Sequence, residues 1–130
     1  MANLLTQGSA FLATQLLAHA ATEIVYSRGD DSAPISAVVG KTSKEIQDGN
    51  GVVHRWESRD YLIRASDLRL SGKQVEPQEG DRITERGQGR ATVVHEVRGA
   101  ALGTAPWEWS DPSRALYRIH TVYLGVEDEG

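Results

Sequence analysis

Four histidines, His19, His54, His95 and His120, are the residues of this 130-residue chain whose side chains could do the most chemistry. Imidazole binds transition metals and serves as a general base near neutral pH. A zinc site, however, asks for short-range or i, i+4 spacing, or for thiolates that complete the set. The spacings here are long and the chain has no cysteine, so all four read as satisfied or surface histidines, and neither a metal nor a cofactor is expected. The carboxylates of Asp30-Asp31 and Glu127-Asp128-Glu129 lack the alternating ligand pattern of a calcium loop and read as a solvated turn and a solvated tail. Ser36, Ser43, Ser58 and Ser66 have no G-x-S-x-G elbow around them. Gly87-Gln88-Gly89-Arg90 is rich in glycine but lacks the lysine and helix of a phosphate loop. Arg28-Gly29-Asp30 is explained by a turn. No catalytic residue is assigned, and the expectation is a protein that is not an enzyme.

The segment with a more specific use is Ala105 to Pro112, where Trp107, Glu108 and Trp109 lie in a loop bracketed by prolines. Tryptophans so placed either fold back to cap an open end of the sheet or anchor a partner at an interface hot spot. Capping is the favoured use, because Glu108 would point away from both rings in an extended segment. Trp56, inside a predicted strand, reads as core.

Two kinds of element must position these residues. Leu5, Leu12 and Leu16, with Leu4, Phe11 and Leu17 beside them, recur at the spacing of one apolar helix face, which predicts an amphipathic helix over 3–21. The segment has no basic leader and polar residues interrupt its apolar runs, so it reads as neither a signal peptide nor a membrane span but as a mature, cytoplasmic N-terminus. From Thr22 onward, short bursts of β-branched and aromatic residues alternate with Gly, Asp, Asn, Ser and Pro, the rhythm of strands and turns. Strands are predicted at Glu23–Ser27, Ala33–Lys41, Val52–Glu57, Arg59–Ile63, Arg82–Glu85, Ala91–Val97 and Ala115–Tyr123. A hairpin turn is predicted at Gly29-Asp30-Asp31 and a single helical turn capped by Ser66. Long loops remain at 42–51 and 99–111. The predicted fold class is mainly β, a small barrel or sandwich with an N-terminal α-helix and long loops: one domain over 1–130, with β structure over 22–124 and a mobile acidic tail at 125–130.

Composition sets outer bounds. A hydrophobic share of 39% and a charged share of 25% are those of an ordinary folded domain. Absence of cysteine fits a reducing compartment. A net charge of −4 and pI near 5.5 argue against a surface that grips nucleic acid by neutralising phosphates.

The run Arg59-Asp60-Tyr61-Leu62-Ile63-Arg64, then Pro77-Gln78-Glu79-Gly80-Asp81-Arg82-Ile83, then Val93-Val94-His95-Glu96-Val97, and the closing strand Tyr117-Arg118-Ile119-His120-Thr121 resemble, in that order, small head-tail joining proteins of tailed bacteriophages. The resemblance covers about residues 50–124. It implies a virion structural protein of the head-completion or stopper kind. Such a protein would sit at the neck, assemble in the host cytoplasm, and form a homo-oligomeric ring between a portal or adaptor protein and a tail-completion or tail-terminator protein. It would carry DNA through its lumen without sequence-specific binding and would engage no membrane. On that reading Lys44, Glu45, Ile46, Gln47 and Asp48 belong to an arm that orders on assembly or narrows the channel. Together with Trp107, Glu108 and Trp109 they are the interface candidates, and Leu5, Leu12 and Leu16 are the helix packing face. Two other readings stay open: a tail-terminator or tail-completion ring, and a small β-barrel binding module. Aromatic residues at 6% and the acidic balance count against the binding module.

Overall fold

A computed structural model describes residues 21–86, 91–99 and 104–128. Nine strands follow in chain order: β1 (Thr22–Arg28), β2 (Asp31–Gln47), β3 (Val53–Arg64), β4 (Arg69–Leu70), β5 (Lys73–Gln74), β6 (Arg82–Arg86), β7 (Ala91–Val97), β8 (Trp107–Trp109) and β9 (Leu116–Asp128). The fold is mainly β, as the sequence predicts. Seven strands form one antiparallel sheet in the order β3-β2-β1-β6-β7-β9-β8, and β9 also pairs with β3. The pairings therefore run in a cycle through β3, β2, β1, β6, β7 and β9, with β8 pairing Tyr117–Ile119 of β9, a stretch that β7 does not reach.

Alternation explains the ladder. In β1, Ile24 and Tyr26 are buried while Glu23 and Val25 face outward, the period-two pattern of a half-buried strand. Ile35 and Ala37 of β2, Tyr61 and Ile63 of β3, Ile83 of β6, Val97 of β7, and Tyr117 and Ile119 of β9 join them in one core, with Leu68 and Leu70 from the segment after β3. The β1–β2 turn is the predicted one: Gly29 takes φ 59°, and Arg28 pairs with Asp31 across it. A second tight turn, Ser71-Gly72, has φ 53° and 78° and closes the short β4–β5 hairpin.

The structure departs from the sequence reading in several places. The helix expected over 3–21, with its packing face Leu5, Leu12 and Leu16, lies outside the described residues apart from Ala21, which is in neither helix nor strand. The expected loop at 42–51 is largely strand: β2 continues to Gln47, and only 48–52 turn. Its polar composition hid cross-strand pairs that favour a hairpin, among them Lys41–Glu57 and Arg55–Glu45. The two strands predicted either side of Ser58 are one, because Ser58 keeps register opposite Thr42 and donates its hydroxyl to Asp60 Oδ1 at 2.6 Å. The loop at 99–111 contains β8. The helical turn forms at Ala65–Asp67, with Arg64 rather than Ser66 before it and no side-chain cap. Glu127 and Asp128 belong to β9 and not to a tail. Trp56 is half-buried and stands outside the core cluster, whose large side chains are tyrosines.

Candidate docking surfaces

One projecting feature grows from β2 and β3. Past Lys41↔Arg59, β2 and β3 pair, among the described residues, only with each other as far as Gln47↔Val53, forming a two-stranded arm. Its tip is built by Asp48, whose Oδ1 accepts from the backbone of Asn50 and Val52 at 2.8 and 3.0 Å, while Oδ2 meets His54 Nε2 at 2.9 Å. The bond with His54, helped by those two amides, holds the Asp48 carboxyl below its usual range. Glu45 and Gln47 are exposed, and Glu45 pairs with Arg55 at 3.4 Å. Lys44 and Ile46 occupy β2 opposite Trp56 and His54. The interface candidates 44–48 thus lie together on the arm.

At the root of the arm a buried carboxylate ties three strands together. Asp60 of β3 is fully buried. It accepts from Thr42 Oγ1 of β2 and Arg118 of β9 (2.6 Å) on Oδ2, and from Ser58 and His120 Nδ1 (2.9 Å) on Oδ1. Burial alone would raise its pKa, but the bonds from His120, Ser58, Thr42 and Arg118 win and keep it ionised well below the ordinary carboxylate range. His120 Nε2 in turn faces Glu108 of β8 at 3.5 Å. Ser, His and Asp meet here, yet the arrangement does not build a nucleophile. Both Asp60 and Ser58 address the same ring nitrogen, and the serine proton is spent on the carboxylate, whereas an activated serine needs the base's other nitrogen.

Beside the root the sheet opens. The β3–β9 ladder ends at Arg59↔Thr121, after which β9 follows β7 alone. A bulge at Val94/His95 leaves Leu124 unmatched and adds twist. A cleft of about 400 Å³ lies in this notch, lined among others by Lys41, Glu57, Arg59, His95 and Tyr123. Arg59 holds Glu85 at 2.7 Å, Tyr61 donates to Glu85 at 2.8 Å, and His95 Nδ1 sits 3.2 Å from the Tyr61 hydroxyl. Burial and the nearby Arg59 charge lower the His95 pKa; burial raises that of Tyr61. These groups are fastened to one another, and Arg59 and His95 among them line the cleft floor.

The Trp loop lies at the β8 side. Trp109 stacks on Tyr117 at 4.7 Å, Trp107 meets the same ring edge-on at 4.9 Å, and both are half-buried against the core. Glu108 is exposed and turned the other way, toward His120. Pro106 O accepts from His120 N, and Asp111 Oδ1 accepts from Ala115 and Leu116, which fixes the loop onto β9.

The histidines are dispersed: His54 on the arm tip, His95 in the cleft, His120 at the root, with His19 outside the described residues. Among the described residues no group of three or more His, Cys, Asp or Glu side chains converges, and no helix is long and apolar enough to cross a membrane. Sequence reasoning missed the buried anchors Asp60 and Asp81. Asp81 is buried, accepts from the Tyr26 hydroxyl and is paired with Arg28 at 2.9 Å. Burial and that bond drive the Tyr26 pKa upward. The available signal was a lone carboxylate inside or directly before an apolar strand run.

The sheet thus offers a projecting arm and an open notch, and its buried charges tie strands together. Residues 2–128 match the family model described as phage head-tail joining protein. The chain belongs to that family, a family of phage structural connectors, which makes it a virion component and confirms the resemblance read from residues 50–124. No curated protein matches the chain.

Proposed function

We propose that this protein is a ring-forming subunit of the neck. It docks on a portal or adaptor protein, receives a tail-completion or tail-terminator protein on its other side, and leaves a lumen through which DNA passes. Family membership over nearly the whole chain carries the reading. The structure supports it with the arm bearing Lys44 to Asp48 and with Glu108, flanked by Trp107 and Trp109, as surfaces offered to neighbours. The cyclic strand order supports the barrel form expected of the body. A net charge of −4 suits a conduit that must not hold the duplex. Head-to-tail contacts between identical subunits close a ring when the rotation between them closes.

The test is the mass of the purified protein alone, and then with the proteins encoded beside it. A multimer on the portal or adaptor is the expected result. Binding to tail proteins alone moves the ring to the tail side, as a terminator. A persistent monomer that binds none of them overturns the connector reading and leaves a β-barrel binding module.

A further inference from the structure

The two strands that part at Arg59 and Thr121 both continue. β3 extends back over 53–58 and β9 forward over 122–128, each for about 20 Å at ~3.3 Å per residue. Among the described residues, β2 pairs one edge of the first and β7 one edge of the second, and the other edge of each has no strand. Open edges of this length invite pairing, and a two-stranded ribbon in water is marginal until a third strand joins it.

Apolar exposure is concentrated on the same two prongs. Of the six large hydrophobic side chains that are exposed among the described residues, Val52 and Val53 are at the arm tip, and Tyr123, Leu124 and Val126 are on β9; Val25 alone is elsewhere. Tyr123 is 62% and Val53 57% exposed. Two cations of this region, Lys41 and Arg55, have exposed partners. Among the described residues, Lys41 and Arg55 pair with exposed Glu57 and Glu45, at 3.1 and 3.4 Å, and such pairs contribute little. The far end of β9 is acidic in sequence, Glu127-Asp128.

We propose that the free edge of β9 over 122–128 is the seat for the arm of a second copy of this chain, whose Val52 and Val53 cover Tyr123, Leu124 and Val126 while its Lys41 and Arg55 meet the acidic end of β9. One chain carries both halves of the contact at different places, the requirement for a head-to-tail interface between identical subunits. This rests on the ring reading and names the surface that closes the ring.

Because the chain has no cysteine, a single Leu124→Cys places a benzophenone maleimide at one known position on the full-length protein. After assembly on the portal or adaptor and illumination, the product is sized and mapped by mass spectrometry. A dimer-sized adduct joined at residues 52–55 is the expected result. An adduct to another protein, an adduct within one chain, or a dimer joined elsewhere overturns the proposal. If the mass measurement shows a ring while the adduct is any of these, the ring stands and this interface falls; if no multimer forms on any partner, the ring reading itself has failed. Tyr123→Asp, at an exposed site, is expected to keep the wild-type melt and lose at least tenfold in ring yield, with Tyr123→Phe restoring it. Wild-type yield from Tyr123→Asp overturns the proposal as well.

Discussion

Between Arg59 and Leu62, β3 has ladder partners on both edges, and its side chains are buried or paired on both faces. Between Val53 and Glu57, the same strand has, among the described residues, β2 on one side only, and its side chains are exposed apart from the half-buried Trp56. A single residue, Ser58, separates a region that must be satisfied internally from one whose groups can be completed from outside. Charge is handled accordingly. In the closed part, buried Asp60 and Asp81 each draw several donors, because an unpaired buried charge costs several kcal/mol. On the arm, Lys41–Glu57 and Arg55–Glu45 are exposed single contacts that set register and little else.

The largest expected effect therefore falls at the root. Asp60→Ala strands Arg118, His120, Ser58 and Thr42 around a cavity, and chemical denaturation should show a loss of about 3–5 kcal/mol. The same carboxylate sets a pH limit. Its folded pKa is depressed, so its contribution is complete above the unfolded value near 4 and is lost as pH falls below it. Wild type should lose stability steeply below about pH 4, and the slope should flatten in Asp60→Asn. A slope unchanged by Asp60→Asn would remove Asp60 from the centre of the closed region.

Next comes the Trp loop, which joins the closed part through Tyr117. Trp107→Ala with Trp109→Ala should cost about 3–5 kcal/mol together if the rings are a cap on the core, since large half-buried aromatics leave a cavity behind. A double variant that melts like wild type but fails to join heads to tails would transfer the pair to the open, partner-facing side of the comparison.

The cleft floor should respond more weakly. His95 has a lowered folded pKa, so the unfolded chain takes up protons first as pH drops below about 6.5. Stability from this group is complete above that value and declines as pH falls through it. A melting series from pH 7.5 to 5.5 should show a modest decline that disappears in His95→Gln. A decline that persists would mean that the notch is not closed from within by this histidine.

How far these regions could be read from sequence follows from the same contrast. The closed part was largely legible: alternation of Ile24 and Tyr26, of Tyr61 and Ile63, and of Tyr117 and Ile119 marks strands with one face in a core, and Gly29 marks the turn. The order of the β3, β6, β7 and β9 runs also carried the family. The arm was not legible, because residues 42–51 carry no apolar period; cross-strand ion pairs set the register of that hairpin, and ion pairs between strands have no signature along one of them. Asp60 was hidden for the opposite reason. A carboxylate between Arg59 and Tyr61 looks solvated until His120, Arg118 and Thr42 are brought to it by two other strands.

The smallest effect on folding is expected at Glu45, where the two regions differ most. Glu45→Lys removes the exposed pair with Arg55 and sets like charges across the β2–β3 ladder. In the closed part such a change would leave a buried charge unpaired. Here water and a shift of side chains absorb it, so the melt should move by less than about 1 kcal/mol. The variant also adds a cation to an arm that our reading places against the acidic end of a neighbouring β9, so assembly on the portal or adaptor should persist at low salt. A melt that falls by several kcal/mol would show that the arm is held as tightly as the root, and the division between an internally satisfied body and an externally completed arm would then be lost.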